Sequence, residues 1–395
     1  MRVQRQINSS PKGKALSTPA VIEFASGAAA AALVAGVPAA ARAVREVALA
    51  GVEECWLRIA DKSPLPASVR QEIARLAGTM PVRGLDGLAV LPGTGSAPCP
   101  LSDRPEDFIH RPLLAVEGEA LVDAATIRAA LASASGHNPA LRFGAPDSLP
   151  ARAPGRADVR RHYARAGRAI VAATAKSTDG IVSRSLNRPI SQAISRTLLR
   201  IPGIQPIHAT MGTAAIGLMM FTALVALGSP VGLVLGALLF HAASVFDGVD
   251  GEIARATLRT SDRGAQIDTL IDAATNLAFI FGTVINLALR GRWLSASFGG
   301  AGLVMLTIGL TVLGGGARRR GAPISFDGLK QRFRASGRLG QWAVWLTMRD
   351  FLAAAAVVLF VAGLADEAII GFSAIMTVWL VVILSTHARH SALGA

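Results

Sequence analysis

Six apolar stretches, all after residue 205, constrain the fold of this 395-residue chain more than any other feature. A helix needs about 20 mainly apolar residues to cross a bilayer. Stretches of that kind fall at roughly 207–228, 230–247, 266–289, 296–315, 341–363 and 367–386. An even number of crossings puts both chain ends on one side. Composition agrees: 51% of the residues are hydrophobic and 17% charged, which excludes a disordered chain or an ordinary polar soluble one. Lys and Arg number 40 against 26 Asp and Glu, a formal charge of +14. With so apolar a chain, that excess points to an anionic membrane face, and no nucleic acid is expected as a partner. Basic residues in short loops set the orientation. Arg318, Arg319, Arg320, Lys330, Arg332, Arg334 and Arg338 fill 316–340, and Arg184, Arg188, Arg196 and Arg200 precede the first span. The opposite turns hold Arg290 and Arg292, with Asp366 and Glu367 in another. The N-terminal domain, the 248–265 loop, the 316–340 loop and the C-terminus are therefore expected on the cytoplasmic side of an inner membrane.

Residues 1–150 follow another pattern. Val21–Phe24, the Ala-rich 28–35, the amphipathic 38–50 and Cys55–Ile59 suggest strand, loop, helix and strand. Leu113–Val116 suggests a further strand, followed by a helix at 123–133. Such alternation predicts an α/β domain. The run 27–41 follows Arg2, Arg5, Lys12 and Lys14 as a leader or a seventh span would, but it is mostly Ala and is interrupted by Pro38. It is read as part of the domain. Cys55 and Cys99 make neither a disulfide framework nor a CxxC zinc site. Residues 151–180, rich in Arg with Pro and Gly, read as a basic linker. In 181–203, Ile181, Leu186, Ile190, Ile194 and Leu198 interleave with Arg184, Arg188, Arg196 and Arg200 at helical spacing. This predicts an amphipathic helix lying on an anionic leaflet, with a surface helix of the soluble domain as the alternative.

The chemistry concentrates in 247–272, DGVDGEIARATLRTSDRGAQIDTLID. Carboxylates at membrane depth are expensive and usually functional. Asp247 and Asp250 stand at i, i+3 at the end of the second span, and Asp268 and Asp272 at i, i+4 at the start of the third. A turn eased by Gly264 would fold the two faces together. Four converging carboxylates demand cations, and their hard oxygens suit Mg²⁺ or Mn²⁺. Two such ions serve phosphoryl transfer, and one carboxylate can stay free as a base. Gly251 removes a side chain where a ligand could approach, and Arg255 could clamp a phosphate. The competing reading is a set of helix-end acids paired with Arg255, Arg259 and Arg263.

These residues match a signature. Asp247, Asp250, Gly251, Ala254, Arg255, Gly264, Asp268 and Asp272 fit D-x2-D-G-x2-A-R-x8-G-x3-D-x3-D at all eight positions. Over about 176–390 the chain resembles the CDP-alcohol phosphotransferase family, which has six membrane helices. The resemblance implies that Asp247, Asp250 and Asp268 bind a two-metal centre and that Asp272 is the general base. It places Gly251, Ala254, Arg255 and Gly264 near the nucleotide. A hydroxyl acceptor would attack the β-phosphorus of a CDP-alcohol and release CMP. Family members are often homodimers. One departure lies where the first span begins: members often carry Thr-Pro-Asn, and here Gln205, Pro206 and Ile207 stand.

The segment KSTDGIVSRSLNRPIS, 176–191, is similar to the lead-in helix of one subgroup. That subgroup makes di-myo-inositol phosphate phosphate from CDP-inositol and inositol phosphate, with a cytidylyltransferase domain fused in front. Stretches 36–59 and 113–131 resemble parts of such a nucleotidyltransferase, with Glu119 after Gly118 where an Asp is usual. Residues 25–36, ASGAAAAALVAG, lack the basic residue that a triphosphate-cradling loop needs. The expectation is a six-helix α-helical membrane domain over 204–395, preceded by a small, degenerate α/β nucleotidyltransferase-like domain. A CDP-diacylglycerol-dependent phosphatidyltransferase, an enzyme with a second, active cytidylyltransferase domain, and a non-enzymatic scaffold stand as alternatives. Arg349 and Asp350, inside the fifth span, form a candidate pair. Arg349, with Arg188, is a candidate for binding the acceptor phosphate. His208 and His241 read as packed or hydrogen-bonded core residues.

Overall fold

The computed structural model describes residues 18–84, 113–133, 140–144, 158–176, 179–319 and 348–393. The chain forms two compact units, residues 1–170 and 171–395.

In the first unit, β1 (Ala20–Phe24) leads into a short helix α1 (Gly27–Ala31) and a hairpin of β2 (Leu33–Val34) and β3 (Val37–Pro38). Then come α2 (Ala39–Leu49), β4 (Cys55–Ile59), α3 (Ala67–Ala77), β5 (Val82–Gly84), β6 (Leu113–Glu117), α4 (Ala124–Ser133) and β7 (Leu141–Gly144). The sheet runs β5-β4-β1-β6-β7, parallel except for β7. The fully buried β1 therefore sits at its centre. Ile22, Phe24, Ile59 and Leu114 from the sheet pack with Val44, Val47, Ile73 and Ile127 from the helices. The run 27–41 belongs to this core: Ala30, Val34, Val37 and Ala39–Ala41 are fully buried. Cys55 is a buried thiol. Cys99 lies outside the described residues.

Within the stretch read as a linker, Val159–Ala172 form α5. The amphipathic segment is helical, with a π turn over Ser183–Asn187 followed by α6 (Arg188–Leu198). Its burial is inverted relative to a soluble amphipathic helix. Ser183, Asn187, Ser191 and Ser195, four residues apart, are buried, whereas Ile181, Leu186 and Ile190 are exposed. The apolar stretches then become α7 (Pro206–Leu227), α8 (Pro230–Ala256), α9 (Asp262–Leu289), α10 (Trp293–Arg319), α11 (Arg349–Val361) and α12 (Ala365–Leu393). Pro at the first helical position opens α7 and α8, where its missing N–H is not needed. Ser229 and Ser261 cap α8 and α9 by accepting from Gly232 and Gly264.

The second unit is membrane-integral by its apolar helices, but not all six expected spans are of crossing length within the described residues. Among the described residues, four helices are long and apolar enough to cross a bilayer: Pro206–Leu227, Pro230–Ala256, Asp262–Leu289 and Ala365–Ser385. In α10 the apolar part is shorter, Trp293–Gly309. In α11 there are 13 residues, and the first part of the expected span 341–363, like most of the basic loop 316–340, lies outside the described residues. The expected 248–265 loop is also corrected. Helix α8 continues to Ala256, so the connection to α9 is only Thr257–Ser261. Leu258 turns it with φ +59°, and the Arg259 N–H reaches back to the Ala254 carbonyl at 2.8 Å.

Candidate active site

The short connection sets α8 and α9 side by side, with the four signature aspartates within them. Asp250 is buried on α8, and its Oδ2 accepts from the Thr210 hydroxyl of α7 at 2.9 Å. Asp268, on α9, lies within electrostatic reach of Asp247 and Asp250. Asp247 and Asp272 are joined by Arg349 of α11, whose Nη1 stands 3.2 Å from Asp247 Oδ1 and also bonds Asp272 Oδ1. The Arg349 guanidinium lies 5.7 Å from the centre of the Phe240 ring, and its Nε and Nη2 are buried without a hydrogen-bond partner among the described residues. No three acidic, His or Cys side chains among the described residues stand in a ready-made ion site. The cation that this arrangement holds is Arg349.

The neighbouring signature residues take roles the spacing did not show. A Cβ on Gly251 would lie 2.9 Å from Arg255 Nη1, so the missing side chain makes room for the arginine folded over it. Arg255 Nε donates to the Thr174 carbonyl at 3.0 Å. Gly264 is inside the first turn of α9, giving its N–H to Ser261, and does not form the turn.

The expected Arg349–Asp350 pair is divided between two networks. Arg349 serves the aspartates. Asp350 Oδ1 accepts from Ser244 Oγ of α8 at 2.8 Å and from Asn187 Nδ2 at 3.1 Å. Arg188 is held rather than free: its Nε and Nη2 grip Asp179 at 2.7 and 3.1 Å, and its Nη1 reaches Glu252 Oε1 at 2.9 Å. Burial would raise the Asp179 carboxyl, but the hydrogen bonds and charge of Arg188 outweigh it and leave it below its ordinary value of 3.8. His208 completes the cap of α7, its Nδ1 accepting from the Gln205 N–H at 3.1 Å.

Sequence reasoning passed over Thr210, Ser244 and Glu252. Thr210 stands one turn beyond the departure at Ile207 and supplies a hydroxyl to Asp250. The signal for Glu252 was present: a third acid in the apolar helix α8, opposite a polar stripe at every fourth residue of 183–195. A separate apolar groove of 620 Å³ runs between α7, α9 and α10, lined among others by Leu218, Phe221, Ile271, Phe281, Leu303 and Thr307. None of the eight signature residues lines it.

In the first unit the strand order reverses between β1 and β6, and ligands of open α/β sheets bind at the carboxyl ends of such strands. Here acidic side chains occupy the loop's amides. Glu119 Oε1 accepts from the Ala25 N–H at 2.9 Å, and Asp61 Oδ1 and Ser63 Oγ accept from the Gly27 N–H at 3.2 and 2.8 Å. The Ser63 hydroxyl, then its amide, hold the Asp61 carboxyl below its ordinary value.

Comparison with known proteins bears on the second unit. Residues 206–385 match the family model described as CDP-alcohol phosphatidyltransferase. Three curated relatives carry the name bifunctional IPC transferase and DIPP synthase. The one from Aquifex aeolicus is 39% identical over 115 residues, 29% of this chain and 25% of its own length. That from Archaeoglobus fulgidus is 36% identical over 124 residues, 31% and 24% of the two chains, and that from Thermococcus kodakarensis 37% over 124 residues, 31% and 27%. The chain thus spans about a quarter of the length of the curated relatives it matches. The eight-position signature lies within the matched stretch, on adjacent helices, and residues 206–385 are thus similar to the CDP-alcohol phosphatidyltransferase family.

Proposed function

We propose that the chain is an integral membrane transferase that moves a phospho-alcohol from a CDP-alcohol to a hydroxyl acceptor and releases CMP. The observation that carries this reading is the complete signature on the adjacent helices α8 and α9, with Asp247 and Asp272 brought to one guanidinium. Carboxylates gathered at one site at membrane depth need cations. The donor set, all hard oxygen, fits Mg²⁺ or Mn²⁺ held by Asp247, Asp250 and Asp268. Bound there, a pair of ions would neutralise the diphosphate and its leaving group.

The chain's own residues supply the rest. Asp272 takes the proton from the acceptor hydroxyl. The oxygen attacks the β-phosphorus, the bond to the bridging oxygen breaks, and CMP leaves with that oxygen. Arg349, with two unpartnered donor atoms beside Asp272, binds a phosphate oxygen of donor or acceptor. Gly251, Ala254, Arg255 and Gly264 lie on the nucleotide side. Six spans, with the aspartates and both chain ends cytoplasmic, follow from the basic loops. The outward apolar residues of 181–198 lie among lipid headgroups. Likeness to relatives named bifunctional IPC transferase and DIPP synthase favours a CDP-inositol type of donor over CDP-diacylglycerol. The first unit is non-catalytic, because Glu119, Asp61 and Ser63 already use the amides a triphosphate would need.

The test is Mg²⁺-dependent CMP release by the protein in nanodiscs, with CDP-inositol and CDP-diacylglycerol in parallel, a panel of acceptors and an Asp272→Asn control. Release with CDP-inositol supports the reading. Release with CDP-diacylglycerol alone makes the protein a phosphatidyltransferase. Silence with every CDP-alcohol tried overturns the reading and favours a scaffold.

A further inference from the structure

Glu252 is fully buried and has no part in the reaction outlined above. Its Oε1 accepts from Ser191 Oγ at 2.7 Å and Arg188 Nη1 at 2.9 Å, and its Oε2 accepts from Ser195 Oγ at 2.6 Å. Both serines are themselves buried. The helices touch closely here: a Cβ on Gly248 would lie 3.2 Å from Arg188 Nη1 and 3.4 Å from Ser191 Oγ. A carboxylate withdrawn from water this completely is kept only where its lone pairs are filled. Three donors from one helix fill them.

Residues two apart on an α-helix project to nearly opposite sides. Asp250 faces Thr210 of α7, and Glu252 faces α6. Helix α8 is thereby held on both flanks within three residues, so it can neither roll nor slide without breaking one of the two sets of bonds. The same stripe of α6 reaches α11. Asn187 bonds Asp350, whose neighbour Arg349 holds Asp247 and Asp272. One helix at the headgroup level therefore sets the aspartates of α8 and the arginine of α11.

We propose that Glu252 is a positioning residue that locks α8 to the interfacial helix α6 and so fixes the direction in which Asp247 and Asp250 present their carboxylates. This rests on the transferase reading for its catalytic consequence, but not for its effect on metal binding. Glu252→Gln keeps the shape, removes one acceptor and turns an amide N–H₂ toward donors. A Ser191→Ala/Ser195→Ala double variant keeps the Arg188–Glu252 ion pair and removes only the hydroxyls.

The experiment uses full-length protein in nanodiscs, with Mn²⁺ binding read by electron paramagnetic resonance, CMP release resolved into kcat and KM, and thermal unfolding. Second-sphere changes at metal sites typically cost 10–100-fold, so each variant should weaken Mn²⁺ binding and lower kcat by about tenfold or more, with donor KM within about twofold. The serine variant decides if Glu252→Gln does not fold. Wild-type Mn²⁺ binding and kcat in both variants would overturn the proposal, as would lowered thermal stability with kcat intact. A wild-type protein that binds Mn²⁺ but releases no CMP would remove the transferase reading and leave the Mn²⁺ comparison to judge Glu252.

Discussion

Asp247 and Asp272 of the membrane unit are neutralised by one guanidinium, that of Arg349. A charge at bilayer depth costs about 2.5–3.5 kcal/mol on insertion scales, so Asp247, Asp272 and Arg349 are affordable only together. Asp272 keeps the more open of the two carboxylates, at 36% side-chain exposure against 29% for Asp247, as the proposed base needs. Asp272→Asn should lower kcat by about 10²- to 10⁴-fold, the usual contribution of a general base, and leave Mn²⁺ binding largely intact. Asp268→Asn should instead lose Mn²⁺ binding, so comparing the two by resonance and CMP release separates base from ligand. Asp179 gives a pH signature. Its carboxyl is held below 3.8 by Arg188, so its contribution is complete above pH 3.8 and disappears as pH falls through the lower folded value. Thermal unfolding of wild type should show this loss only below pH 3.8, and Asp179→Asn protein should lack it.

At the level of elements, regular patterns were legible and contacts between elements were not. The strands at 21–24, 55–59 and 113–116 and the helices at 38–50 and 123–133 follow from alternation and helical spacing, which are local. The hairpin Leu33–Pro38, which begins at the end of the Ala-rich 28–35, was missed, because its turn depends on Ala35 and Gly36 at positive φ, which composition does not announce. The four aspartates were legible because their spacing is a motif. Their partner Arg349 lies 77 residues beyond Asp272, and no spacing rule links the two. The helix at 181–198 was recognised by its apolar and basic residues, but its working face is the small polar one. Gly248 tests that face. Gly248→Leu drives a side chain into Arg188 and Ser191, and such overpacking typically costs 1–3 kcal/mol. Thermal unfolding should move down accordingly, and CMP release should fall with it.

The whole molecule joins a unit with a filled crevice to a unit with a reactive one. Because Glu119, Asp61 and Ser63 already hold the amides of Ala25 and Gly27, titration of the full-length protein with CTP should show no saturable binding assignable to the first unit. Saturable CTP binding lost on Glu119→Gln would contradict this. In the second unit, the guanidinium of Arg349 shared between Asp247 and Asp272 bears on biogenesis. Arg349 can neutralise these aspartates while the bundle forms, so the chain is expected to assemble before divalent ions bind. Insertion and catalytic ignition are then separate events in the protein's life. Chains synthesised into nanodiscs under EDTA should fold and stay silent, then begin to release CMP when Mg²⁺ is added. Aggregation unless Mg²⁺ is present during synthesis would refute that separation. On that expectation a membrane receives the protein assembled, and the supply of divalent ion on the aspartates' side of the bilayer would decide when it starts to work.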